Sequence, residues 1–265
     1  MPYTQIDGLD FYYENAGAGP RLLFISGSGG DLRVQPNVFA SPLAKAFDLL
    51  AYDQRGLGRT AKPDVPYSMA QYGDDAAALM DALGWDDALV MGVSFGGMVA
   101  QELVLRHPGR VKKLVLACTS PGGAGGASYP FHEIEHLKGL ERAAHMMPIS
   151  DTRRDAAWAA ANPEDYQRFL QMAAADPYAD EPGRDIGAHR QFEARAKLDT
   201  WDRLPSIACP VLIAAGKHDG IALPETQDRM ARRIPGAELQ WFEGGHLFLM
   251  QDRAAYTAVI EFLNR

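Results

Sequence analysis

Residues 89–97 read LVMGVSFGG: an apolar run breaks into Gly92-Val93-Ser94-Phe95-Gly96-Gly97, and a helical pattern follows. Working outward, residues 88–91 read as a short buried strand. Beyond the turn, Met98, Val99, Leu103 and Val104 recur at helical spacing as far as His107-Pro108-Gly109, a helix stop. A strand running into so tight a turn holds one hydroxyl up, strained and exposed, where a neighbouring base can reach it. Glycines on both sides of Ser94 remove the Cβ atoms that would clash in the bend. With 26 glycines in the chain the Gly-x-Ser-x-Gly pattern alone does not decide. A Gly-rich turn whose serine only caps the helix has the same letters.

The 265 residues, 47% hydrophobic with 17 prolines, suffice for one large α/β core or two small domains. A net charge of −8 argues against a phosphate-backbone partner, because nucleic-acid binders carry a basic stripe that is missing here. The two cysteines, Cys118 and Cys209, each end an apolar run and suit free thiols in a reducing compartment. Residues 1–17 include acidic positions and no apolar leader core, and no later stretch approaches about 18 uninterrupted apolar residues. The expectation is a soluble, cytoplasmic protein that engages neither membrane nor nucleic acid.

Residues 3–6 and 9–14 flank Asp7-Gly8, which predicts a β-hairpin. Short apolar runs follow at 22–26, 47–52, 88–91, 114–117, 211–215 and 238–242. Amphipathic helices are predicted over 69–83, 95–107, 223–234 and 253–263. Apolar strands alternating with such helices imply an α/β fold with a mostly parallel central sheet covered on both faces, and reactive groups on loops at the carboxyl ends of its strands. Between Pro121 and Leu204 no strand is evident, only polar helical stretches such as 153–161 and 163–175. Residues 121–204 therefore read as a helical insertion into a core formed by 1–120 and 205–265.

A serine nucleophile needs a base, and the base needs an anion that fixes its tautomer. Residues 211–219, VLIAAGKHD, put Asp219 on the loop after one late strand, and 239–246, LQWFEGGH, put His246 after the next. Alone, Asp219 is an ordinary loop or N-cap aspartate and His246 an ordinary core histidine; the constellation with Ser94 gives them weight. His107 and His218 adjoin other elements, and His132, His136, His145 and His189 fall in the insertion.

With these residues in hand, the chain resembles the α/β-hydrolase family from about residue 9 to 263, apart from the insertion. The resemblance rests on GVSFGG, on YDQRGLGRT after an earlier strand, on GKHDGIALP and on the late GGH. It implies an α/β-hydrolase fold with an inserted helical cap. Ser94 becomes the nucleophile, His246 the general base and then acid, and Asp219 its orienting carboxylate. It also implies an oxyanion hole from the backbone N–H groups of Phe95 and Ser28, although the family's usual His-Gly is Ser26-Gly27 here, which leaves Gly27 as the alternative donor. The implied activity is cofactor-independent hydrolysis of a carboxylic ester or lactone of a small, largely apolar molecule. An enol-lactonase or carbon–carbon bond hydrolase of aromatic breakdown is the alternative within the family, and a non-catalytic ligand-binding protein the alternative from another class. Aspartate-nucleophile relatives are disfavoured by Ser94 itself.

Other motifs compete. His132-Glu133-Ile134-Glu135-His136 matches the zinc-protease pattern, yet Arg142 stands where the longer form needs its third histidine, and a solvated helix face is expected with no metal. The run 22–30 with Asp53 suggests a dinucleotide fingerprint, but Leu32 replaces its third glycine. In the insertion, Met146, Met147, Trp158, Phe169 and Met172 read either as an adaptable substrate pocket or as the insertion's own core. Arg190 or Arg195 is the candidate partner for a substrate carboxylate, against an ion-paired surface role.

Overall fold

A computed structural model describes residues 2–265. Its sheet has eight strands in the order β1-β2-β4-β3-β5-β6-β7-β8. These are β1 Tyr3–Ile6, β2 Leu9–Ala16, β3 Arg21–Ile25, β4 Asp48–Tyr52, β5 Ala88–Val93, β6 Val111–Ala117, β7 Val211–Gly216 and β8 Glu238–Phe242. The hairpin forms as predicted, with Ile6 opposite Leu9 and both Asp7 and Gly8 at positive φ. β2 pairs antiparallel with β4, and every pairing from β4 to β8 is parallel.

The apolar runs are continuous because consecutive residues serve two cores. Leu23, Leu50, Val90, Leu114 and Ile213 enter one cluster, while Leu22, Leu49, Met91, Val115 and Leu212 enter the other. Each fully buried leucine contributes roughly 1.5–3 kcal/mol. The first cluster is covered by α2 Met69–Ala82, α3 Phe95–Arg106 and α8 Pro224–Arg233; the second by α1 Leu43–Ala46, α9 Phe248–Gln251 and α10 Ala254–Asn264.

One strand begins a full three residues ahead of its apolar run. β6 starts at Val111, not Leu114, because Lys112 and Lys113 are accommodated at the sheet's lower rim. Lys112 pairs with Asp87 at 2.7 Å, and the Lys113 ammonium donates to the carbonyls of Phe262 and Leu263.

Between β6 and β7 the described chain is helical: α4 Gly139–Ser150, α5 Ala156–Ala161, α6 Pro163–Ala174 and α7 Arg184–Ala196, with short 3-10 turns between. Residues 153–155 precede α5 as turn, since the Asp155 side chain accepts from the Trp158 N–H and fixes the helix start there. α4 and α7 have no counterpart among the predicted helices, and α4 carries Pro148 inside it. The segment 132–136 is a 3-10 helix, Phe131–Ile134, followed by turn, so His132 and His136 share no α-helical face. Among the described residues no helix is long and apolar enough to cross a membrane.

Candidate active site

β5 runs straight into Ser94, which sits at φ 55 and ψ −116, and α3 starts at the next residue. Few residues other than glycine tolerate that conformation, and the neighbourhood enforces it. The Ser94 N–H donates to the Ala117 carbonyl at 2.8 Å, while the Ser94 carbonyl accepts from the Thr119 hydroxyl and from the N–H of Gly97. Gly96 has to be glycine because a Cβ there would run into the Ile25 carbonyl. The Ser94 side chain is thereby lifted off the strand end, at 7% exposure.

His246 and Asp219 converge on it from the loops after β8 and β7. His246 Nε2 lies 2.8 Å from Ser94 Oγ, and Nδ1 lies 2.8 Å from Asp219 Oδ2. The other Asp219 oxygen accepts the N–H groups of Ile221 and Ala222, so the carboxylate cannot rotate away. These geometries bring together the three residues singled out from the sequence.

Both loops are also tied to the insertion through main-chain bonds at 149–152. The Ser150 carbonyl accepts the His246 N–H, the Ile149 carbonyl accepts the Gly220 N–H, and the Thr152 N–H donates to the His218 carbonyl. Asp151, buried in the same turn, accepts from Arg153 and from the Gln251 amide at 3.0 Å, and Gln251 in turn accepts the Gly245 N–H beside His246. Burial pushes the Asp151 carboxyl up, but the hydrogen bonds from Arg153 prevail and hold it below its usual value. The sequence carries no signal for this support, because Asp151 and Gln251 meet only through the fold.

Opposite the histidine lies the loop after β3. The N–H groups of Ser28 and Phe95 have no protein acceptor among the described residues, whereas Gly29 donates to Gln191 at 3.0 Å and Gly30 to Gly27. The Gln54 amide fixes the loop's start by donating to the Ser26 carbonyl. Asp53, the acidic residue of the apparent dinucleotide pattern, clamps backbone: its two oxygens accept the N–H groups of Leu32 and Arg59, and burial pushes its pKa up to about 6.

The residues expected to line a substrate pocket divide differently. Met147 packs with Ala143 and Leu170 in a cluster that Trp158 and Phe169 complete, the two rings stacking at 6.2 Å. Helices standing off the sheet must bury their apolar faces on one another, so these residues make the insertion's own core. Met146 is half-buried on α4 and Met172 is 65% exposed. Arg190 is engaged by Asp64 at 2.8 Å and Glu193 at 2.7 Å, an ion-paired surface position. Arg195, by contrast, is buried, and its Nη1 donates to Ser28 Oγ at 3.2 Å.

Comparison with known proteins bears on the fold and the chemistry together. A family model described as alpha/beta hydrolase fold matches residues 20–252. A protein of Azorhizobium caulinodans that carries the provisional name carbamate hydrolase RutD is 30% identical over 255 residues, 94% of this chain and 92% of its own. The 3-oxoadipate enol-lactonase 2 of Acinetobacter baylyi is 26% identical over 242 residues, 91% of this chain and 87% of its own. Among solved structures, the enol-lactonase from Burkholderia xenovorans LB400 superposes with a TM-score of 0.80 at 26% identity, covering all of both chains.

Proposed function

The chain belongs to the α/β-hydrolase family, and from that premise we propose that it cleaves a small carboxylic ester or lactone through an acyl-enzyme on Ser94. The observation that carries this reading is the unbroken hydrogen-bond chain from Ser94 Oγ through His246 to Asp219, 2.8 Å at each link. His246 Nε2 takes the Ser94 proton as Oγ attacks the carbonyl, and Asp219 stabilises the imidazolium while fixing its orientation. The tetrahedral oxyanion is received by the N–H groups of Phe95 and Ser28. His246 then returns the proton to the leaving alcohol, and water activated by the same ring releases the acid.

Two of the relatives are named enol-lactonases, which supports a cyclic ester over an open one. The free thiols of Cys118 and Cys209 support a reducing, cytoplasmic setting, and the net charge of −8 supports a small molecule over a nucleic acid as the partner. The test is turnover of a panel of acyl esters and lactones together with labelling by a fluorophosphonate. Ser94→Ala is expected to lose labelling and to lower turnover by about 10⁴-fold or more. Full turnover by the Ser94→Ala protein would overturn the reading.

A further inference from the structure

Arg195, near the end of α7, is a buried cation with no anionic partner among the described residues. It is 7% exposed, and its hydrogen bonds all go to hydroxyls: Nε and Nη2 to Ser128 Oγ at 3.1 and 2.7 Å, and Nη1 to Ser28 Oγ. A guanidinium has five N–H donors in a fixed fork, so two remain unused. A buried charge left without a counter-charge is expensive, and a fold retains one only where something else compensates it. Arg142 sharpens the point. It approaches the same Phe131 ring from 5.6 Å while Arg195 stacks on it at 4.3 Å, and its own hydrogen bond goes to the neutral Ile134 carbonyl. Burial and this second cation push Arg195 down to about 9, which leaves it charged at neutral pH.

Arg195 borders a cavity of about 120 Å³ lined also by Met98, Ser120, Ser128, Phe131 and Phe192. That is room for several heavy atoms. Ser120 is one of the lining residues, and its Oγ is buried and without a hydrogen-bond partner among the described residues; so is the Gln191 amide nitrogen one turn of α7 before Arg195. Residues of its lining adjoin the reacting serine along the chain and through hydrogen bonds. Met98 is one helical turn beyond Ser94 on α3, Ser120 follows the threonine that holds the Ser94 carbonyl, and Ser28 is shared between Arg195 and the loop that faces Ser94.

We propose that this cavity receives a carboxylate, held by the free N–H donors of Arg195 and the Ser120 hydroxyl, so that the ester or lactone hydrolysed at Ser94 is carried by a molecule with a second, ionised acid group. The inference rests on the proposed hydrolase function and narrows its substrate class to esters or lactones that carry one free carboxylate. Carboxylate matches the fork geometry of a guanidinium, and the apolar walls of Phe131, Phe192 and Met98 accommodate the carbon chain that joins the acid to the scissile carbonyl.

The test compares two esters with one skeleton: mono-4-nitrophenyl succinate, which has a free carboxylate, and 4-nitrophenyl methyl succinate, in which that carboxylate is masked. The wild-type protein is expected to favour the acid by about tenfold or more in kcat/KM. In Arg195→Gln the ratio between the two falls to near one, whereas Arg195→Lys, which keeps the charge, retains most of the preference. A purely structural Arg195 lowers both substrates in parallel; that outcome, or the absence of a wild-type preference, overturns the proposal while leaving Ser94-dependent hydrolysis standing. If neither ester is turned over, the hydrolase reading fails at these substrates and binding decides the anion site. The Ser94→Ala protein should then bind monomethyl glutarate about tenfold more tightly than dimethyl glutarate by calorimetry, and lose that difference when Arg195→Gln is added. Equal binding of the two glutarates overturns the proposal.

Discussion

At the scale of single residues, the reactive serine and its partners differ in how they are held. Ser94 is fixed by backbone geometry at a positive φ, while Asp219 is fixed by accepting two N–H groups on one oxygen and the His246 ring on the other. Asp219→Asn keeps the first set of bonds through its carbonyl oxygen but offers an N–H where the ring nitrogen needs an acceptor. The expected result is a fall in kcat of about three to four orders of magnitude with little change in thermal stability, read by steady-state kinetics and a melting curve. All three residues were legible in the chain because each lies at a predicted strand end beside short, local turn chemistry. Arg195 was legible only as one of two candidates, and the other, Arg190, is ion-paired with Asp64 and Glu193. What separates them is burial and the absence of a carboxylate, which depend on residues 67 and 167 positions away along the chain.

Elements tell a second story, since strand positions followed from apolar runs and failed where solvent chemistry intruded. β8 matches its predicted span, whereas β6 runs three residues ahead of its apolar stretch, through two lysines whose ammonium groups reach acceptors at the rim. In the insertion, propensity identified helices without ordering them, because α4, α5 and α6 are amphipathic toward one another and not toward a sheet. The turn after α4 is the element with most leverage on the candidate site. Asp151→Ala removes the acceptor for Arg153 and Gln251 and loosens the Gly245 turn through Gln251. The expected cost is about 2 kcal/mol of stability together with a drop in kcat of about tenfold, and Gln251→Ala should reproduce part of the kinetic loss. Chemical denaturation and kinetics on the two variants measure this; unchanged kcat in both would remove the turn from any role in supporting His246.

For the whole molecule, the acid side of the stability profile is set by carboxylates at the junction of insertion and sheet. Asp31 is pushed up by burial, but hydrogen bonds and charge from Arg33 and Arg184 outweigh this and hold it below its usual value; Arg33 does the same for Glu181. A carboxyl whose folded-state pKa is depressed contributes stability that is present above about pH 4 and is lost as pH falls through the folded value. Asp53 runs the other way: raised to about 6, it makes stability decline as pH climbs from about 4 to 6. Melting temperature should therefore rise steeply up to about pH 4, with Asp31→Asn flattening that limb and Asp53→Asn removing the decline above it. A profile unchanged by both substitutions would disprove this assignment. The insertion thus meets the sheet along two unlike borders. On one, Arg184 and Arg190 of α7 and Glu181 just before it pair with Asp31, Asp64 and Arg33 of the core, and Gly187 lies where a Cβ would strike the Gly56 carbonyl. On the other, three peptide-group bonds at 149–152 tie it to the loops of Asp219 and His246. Peptide groups are the same whatever side chain they carry, so those three bonds do not depend on residue identity, while the Asp151 and Gln251 side chains brace the turn that presents them. A lineage of such proteins can therefore rewrite the insertion and its salt-linked margin to suit new substrates while inheriting, unaltered, the seam that keeps acid and base in register.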